Sequence, residues 1–86
     1  MIGQFVTSKA GHDKSQLYVV VREDGDFVYL CDGKLKTLEK PKKKRKKHIQ
    51  PICKTVTEPL LSKLRENQTV YNEEIKYAIK IFLKNS

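Results

Sequence analysis

Two Asp-Gly pairs, Asp24-Gly25 and Asp32-Gly33, punctuate the front half of this chain and leave room only for short strands around them. An Asp-Gly pair between apolar runs favours a tight hairpin turn, because its backbone accepts the positive φ that such turns need. The run at 17–22, Leu-Tyr-Val-Val-Val-Arg, is rich in aromatic and β-branched types and is the strongest strand in the chain. Both of its faces are apolar, so the sequence leaves open which one turns inward. Residues 27–31 form the returning strand, and residues 35–38 a shorter fourth one after the second turn. Upstream, Val6, Ser8 and Ala10 recur at period two and share one face of a first strand. Gly11 then opens a loop with no apolar residue through position 15, at a point where a positive φ is expected. Short strands joined by tight turns describe a meander, and one this small has to curl to bury its faces and hide its edges. Pro41 lacks a ladder donor and ends the fourth strand. Residues 46–50 supply a fifth strand that closes a barrel, with Pro51 marking its end.

Between those last two strands lies the run Lys-Pro-Lys-Lys-Lys-Arg-Lys-Lys at 40–47. Like charges this dense repel one another and need an anionic partner, counterions or full solvation. The net charge of +8 is concentrated in the same part of the chain. Residues 1–56 carry 13 Lys/Arg against 6 Asp/Glu, whereas residues 57–86 carry 5 against 4. A front segment this basic points to a polyanion, either a nucleic acid or an acidic membrane surface.

The back of the chain changes period. After a connector at 52–56, Thr57-Glu58-Pro59 reads as a helix start: a capping hydroxyl, an acid in the first turn, and a proline where a missing N–H costs little. Leu60, Leu61 and Leu64 share a face. Residues 67–71 interrupt the pattern, and Asn72 caps a second helix whose first turn holds Glu73 and Glu74. Ile75, Ala78, Ile79, Phe82 and Leu83 form its apolar stripe. The expected organisation is a barrel over 1–51, a linker over 52–56 and a helical extension over 57–86. Leu60, Leu64, Ile75, Ile79 and Phe82 are expected to pack on one another or on the barrel.

No constellation for catalysis stands out. His12 and His48 are far apart, and neither they nor Cys31 and Cys53 have metal-ligand spacing. The cysteines have no neighbouring base and read as reduced, half-buried barrel and linker residues of a cytoplasmic protein. No phosphate-cradling glycine pattern is present. The acids around Gly25 read as turn residues. No apolar stretch approaches the length of a membrane span, and no signal peptide is evident. The expectation is a non-enzymatic protein with no cofactor, no metal and no membrane attachment.

One pattern resembles a known family. Gly3, Val6, Ser8, Ala10 and Gly11, followed by an apolar strand, look like a KOW motif. With Lys9, Asp32-Gly33 and Pro41-Lys42-Lys43-Lys44 through Lys47-His48, the chain is similar over residues 3–50 to KOW-containing RNA-binding proteins of Gram-positive bacteria. Those are similar in turn to large-subunit ribosomal proteins of archaea and eukaryotes. Two positions depart from the pattern: His12 stands where the family commonly has Arg, and Ser15 where it has Gly. The resemblance implies a mainly β chain, a small SH3-like five-stranded barrel followed by two short C-terminal helices. It also implies binding of structured RNA, ribosomal RNA above all.

Charge placement agrees with that implication. Lys9 and Lys14 flank the first loop, which Gly11 shapes and His12 joins. Lys34 and Lys36 lie in and after the second hairpin, and Lys42, Lys43, Lys44, Arg45, Lys46 and Lys47 follow the fourth strand. Closing the barrel would gather these residues on one positive side that grips phosphates. Lysine dominates, so shape and backbone reading are expected rather than base-specific forks. Phe5, Tyr18, Phe27 and Tyr29 are aromatic candidates for stacking, but are read first as packing residues. Two other readings remain open. One is a protein-interaction module of a transcription or translation complex, docking through the barrel and the apolar helical tail. The other is a nuclear import signal within the basic run.

Overall fold

Both faces of the second strand are apolar because both are buried. β2 (Leu17–Asp24) is the central strand of a single five-stranded sheet whose order is β4-β3-β2-β1-β5. The computed structural model describes residues 1–9 and 16–85. Expectations for Ala10, Gly11, His12, Lys14 and Ser15 lie outside these described residues. The other strands are β1 (Gln4–Ser8), β3 (Phe27–Cys31), β4 (Lys42–Arg45) and β5 (Ile49–Thr55), and every neighbouring pair is antiparallel. Two helices follow, α1 (Leu60–Arg65) and α2 (Asn72–Lys84). The protein is therefore mainly β, with its helices at the C-terminal end.

Alternation along the strands builds two cores. Val6, Tyr18, Val20, Val28, Leu30 and Ile49 form one, and among the described residues no hydrophobic side chain of either helix packs against it. A sheet face buried without a covering layer requires the sheet to curl over itself. Two register shifts supply bend and twist, one between Val20 and Arg22 against β3 and one between Gln4 and Val6 against β5. The expected closed barrel is not what forms: β4 and β5 are not hydrogen-bonded neighbours, and the sheet is curled but open. A 3-10 turn, Lys46–His48, joins the two edges. Its backbone groups are spent elsewhere, with Lys46 N–H donating to Asp26 O at 2.8 Å and Lys9 N–H to His48 O at 3.0 Å.

The opposite sheet face holds the second core. Phe5, Val19 and Cys31 pack there with Val56, Leu60, Leu64 and Ile75. Phe82 stacks on Phe5 with ring centroids 4.5 Å apart. The helical tail is thus packed on the sheet. Two glycines permit the close approach. Gly33, at φ +79°, lies so near α2 that an added Cβ would meet Asn72 O at 2.5 Å, and Gly3, at φ +85°, faces the end of the Leu61 side chain.

Several expected boundaries move. Residues 35–38 are not a strand, because their donors are taken by side chains rather than by a neighbouring strand. Lys36 N–H goes to Asp32 Oδ1 and Leu38 N–H to Asn72 Oδ1, while the Leu35 side chain is exposed. The fourth strand is the basic run itself, and Pro41 precedes it rather than ending a strand before it. The fifth strand starts at Ile49 and continues through Pro51 to Thr55, so most of the connector placed at 52–56 is strand. Proline is tolerated because β5 is an edge strand. Helix α1 starts at Leu60 without a Thr57 cap, its Ser62 N–H donating instead to Glu58 Oε1 at 2.7 Å. It ends where Asn67 turns to φ +56° and Gln68 N–H donates back to Lys63 O. Asn72 is not the cap of α2 but its first residue. Its side chain accepts from Leu38 N–H and the Cys31 thiol and donates to Glu39, latching the 32–39 loop to the helix.

Candidate nucleic-acid interface

The period of a strand divides the basic run into two sets. Lys42 and Lys44, opposite Leu30 and Val28, lie on the concave side of the curl and are half-buried. Lys44 Nζ crosses the curl to donate to Ser8 Oγ at 2.9 Å. Burial, and then the neighbouring charge of Lys44, lower the pKa of Lys42. Lys46 follows them inward and pairs with Glu23 at 2.6 Å, while the amino group of Met1 takes the other carboxylate oxygen at 2.9 Å. The hydrogen bond from Lys46, then that from Met1, hold the Glu23 carboxyl down at about 2.

Lys43 and Arg45 take the other direction. Opposite Tyr29 and Phe27, they are exposed on the outer face of the sheet. Lys43 Nζ lies 4.4 Å and Arg45 Cζ 4.9 Å from the Phe27 ring centroid. On the adjacent strand Arg22 Cζ sits 4.0 Å over the Tyr29 ring. Three cations are therefore held on two half-buried aromatic rings. Asp24 shares this face as the cross-strand partner of Phe27. Among the described residues, however, no carboxylate forms an ion pair with Arg22, Lys43 or Arg45. The aromatic rings hold these cationic heads by cation–π contact without neutralising their charge.

Beyond Arg45 the positive strip continues through the 3-10 turn. Lys47 and His48 are exposed, and the Lys9 N–H bond to His48 O brings Lys9, also exposed, to the same turn. Lys34 and Lys36 are placed elsewhere. They belong to the 32–36 loop, closed by Asp32 Oδ1, which accepts both of their N–H groups at 2.9 Å. That loop rests on α2 through Gly33, beyond the Lys42 end of β4. Of the cations the sequence reading put on one side, the structure places Lys43 and Arg45 on the outer face with Lys9 and Lys47 at the adjoining turn, turns Lys42, Lys44 and Lys46 inward, and adds to the outer face Arg22, which that reading did not name. Its pairing with Tyr29 depends on the register shift at Val20/Arg22, for which the local residues give no signal. Phe5 and Tyr18 are buried and serve packing, whereas Phe27 and Tyr29 carry the cations.

Burial, helped by Asp32 and Glu39, pushes the Cys31 thiol up to about 11 against a hydrogen bond from Gly33. Cys31 is fully buried and Cys53 exposed on β5, rather than both half-buried, and both are free thiols. An apolar groove of about 610 Å³ runs between the end of β5 and α2, lined by Phe5, Val56, Leu60, Tyr77 and Phe82. Two of its carboxylates are engaged: Glu58 accepts from Ser62, and Glu74 from Tyr71 N–H and Lys63. Among the described residues no group of three or more His, Cys, Asp or Glu side chains is placed to hold a metal ion, and no helix is long and apolar enough to cross a membrane. A scan against protein-family models finds no match, and a search of curated proteins returns none.

Proposed function

We propose that this protein is a non-enzymatic, cytoplasmic RNA-binding protein of the KOW type, built on an SH3-like sheet, that grips structured RNA through its phosphates. Ribosomal RNA is the leading target. The observation that carries the reading is the outward set on β4: Lys43 and Arg45 project from a rigid strand, beside Arg22 and close to the Lys47–Lys9 turn, with no acidic partner among the described residues. Charges anchored in this way meet a polyanion without first breaking an internal ion pair. A sheet order of β4-β3-β2-β1-β5, with a 3-10 turn linking the two edge strands, supports the SH3-like assignment.

The two alternatives have less support. Docking through the helical tail would use Leu60, Leu64, Ile75 and Phe82; the first three are buried against the sheet, and Phe82, stacked on Phe5, keeps part of its surface in the groove beside α2. Import receptors read their signals in extended, accessible form, whereas residues 42–45 are committed to a ladder with β3. The test is to change Lys43 and Arg45 together to Ala. Binding to structured RNAs should weaken about equally across sequences, and the slope of log affinity against log salt should fall by about 2, one for each phosphate left without its cation. Unchanged affinity and slope would overturn the reading. So would capture of one protein partner that survives nuclease treatment, with no RNA bound.

A further inference from the structure

Beside the Arg22–Tyr29 stack lies a groove of about 240 Å³ that phosphate binding does not require. One wall is the stack itself. Pro41 and Leu38 supply apolar contact, and the end of α1 brings Asn67 and Gln68 to the rim. The αL turn at Asn67 and the return bond from Gln68 N–H to Lys63 O fix the backbone that carries the two amides. Of the two, Gln68 donates to Glu66, and Lys63, also in the lining, is paired with Glu74.

The geometry points to this groove as a subsite for one unpaired nucleobase of the bound RNA, resting on the reading of the protein as an RNA binder. Three observations select a base over another ligand. A guanidinium lying over an aromatic ring offers a flat, cationic surface, and bases splayed from RNA loops stack on aromatic rings or on Arg planes. A base edge carries donors and acceptors together, and a side-chain amide supplies both. The groove also adjoins the phosphate contacts, since Tyr29 is the register partner of Lys43, so a nucleotide whose backbone lies along β4 has its base beside the stack. The protein therefore distinguishes folded RNA bearing an extruded base from a plain duplex.

Arg22→Lys separates this subsite from general charge attraction, because it keeps the positive charge and removes the plane. Arg22 is exposed, so folding tolerates the change. Two RNAs of equal phosphate count serve as probes: a hairpin carrying 2-aminopurine at an unpaired loop position, and a fully paired duplex. The hairpin should bind the wild-type protein roughly tenfold more tightly than the duplex, with quenching of the 2-aminopurine. Arg22→Lys should erase most of that preference and the quenching, whereas a loss shared equally by hairpin and duplex, with the preference intact, would make Arg22 a phosphate contact and overturn the subsite. Equal binding of hairpin and duplex without quenching overturns the subsite alone. Failure of both RNAs to bind overturns the RNA-binding reading as well.

Discussion

At the scale of single residues, the sequence showed where the charge was but not which way it pointed. Seven cations in eight positions read as one uniform patch, yet strand alternation sends Lys42 and Lys44 into the curl and Lys43 and Arg45 out of it. Direction follows from pairing with β3, and pairing is a long-range property that no local window contains. Glu23 gives a test of the inward set. Its carboxyl, held near 2 by Lys46 and Met1, lies below its ordinary value of 4.5. The folded state therefore binds this proton more weakly than the unfolded chain. The resulting stabilisation is fully present above about pH 4.5 and is lost as pH falls toward 2. Urea denaturation of wild type and Glu23→Gln should show the variant less stable at pH 7, with the gap closing between pH 4.5 and 2. A gap of constant size across that range would contradict the assigned ion pairs.

At the scale of elements, the Asp24-Gly25 turn, the second and third strands and both helices were legible, because an Asp-Gly pair, β-branched runs and an apolar stripe report local preference; the hairpin expected at Asp32-Gly33 did not form. The fourth strand was not. Leu35 and Leu38 gave an apolar signal, but the loop that holds them closes on Asp32 and is latched by Asn72, while four poor strand formers complete the sheet edge. The register with β3 overrides propensity there. Gly33 shows the same coupling, since it is read as a turn residue but also serves as the seat of α2. Gly33→Ala forces a side chain into positive φ and against a helix backbone oxygen. It should lower unfolding free energy by about 2 kcal/mol or more, measured by chemical denaturation. An effect below about 0.5 kcal/mol would show that α2 does not seat on that loop as described.

At the scale of the whole molecule, the tail completes the fold. Sequence alone left the 57–86 segment free to pack on the sheet or on a partner, because an amphipathic stripe does not say what covers it. Its apolar side is covered by Phe5, Val19 and Cys31, and each layer would be exposed without the other. Heat should therefore unfold the protein in a single transition, and a chain ending at residue 56 should not show a cooperative melt by circular dichroism. A truncated chain that melts as sharply as the full one would make the tail an independent appendage.

The account rests most on an electrostatic grip by the outward face of β4 and the adjoining turn. Titrating salt against affinity for a structured RNA measures that grip directly. With about four phosphate contacts, from Lys43, Arg45, Lys47 and Lys9, affinity should fall by roughly 10² between 50 and 200 mM salt. An affinity that stays level across that range would contradict it.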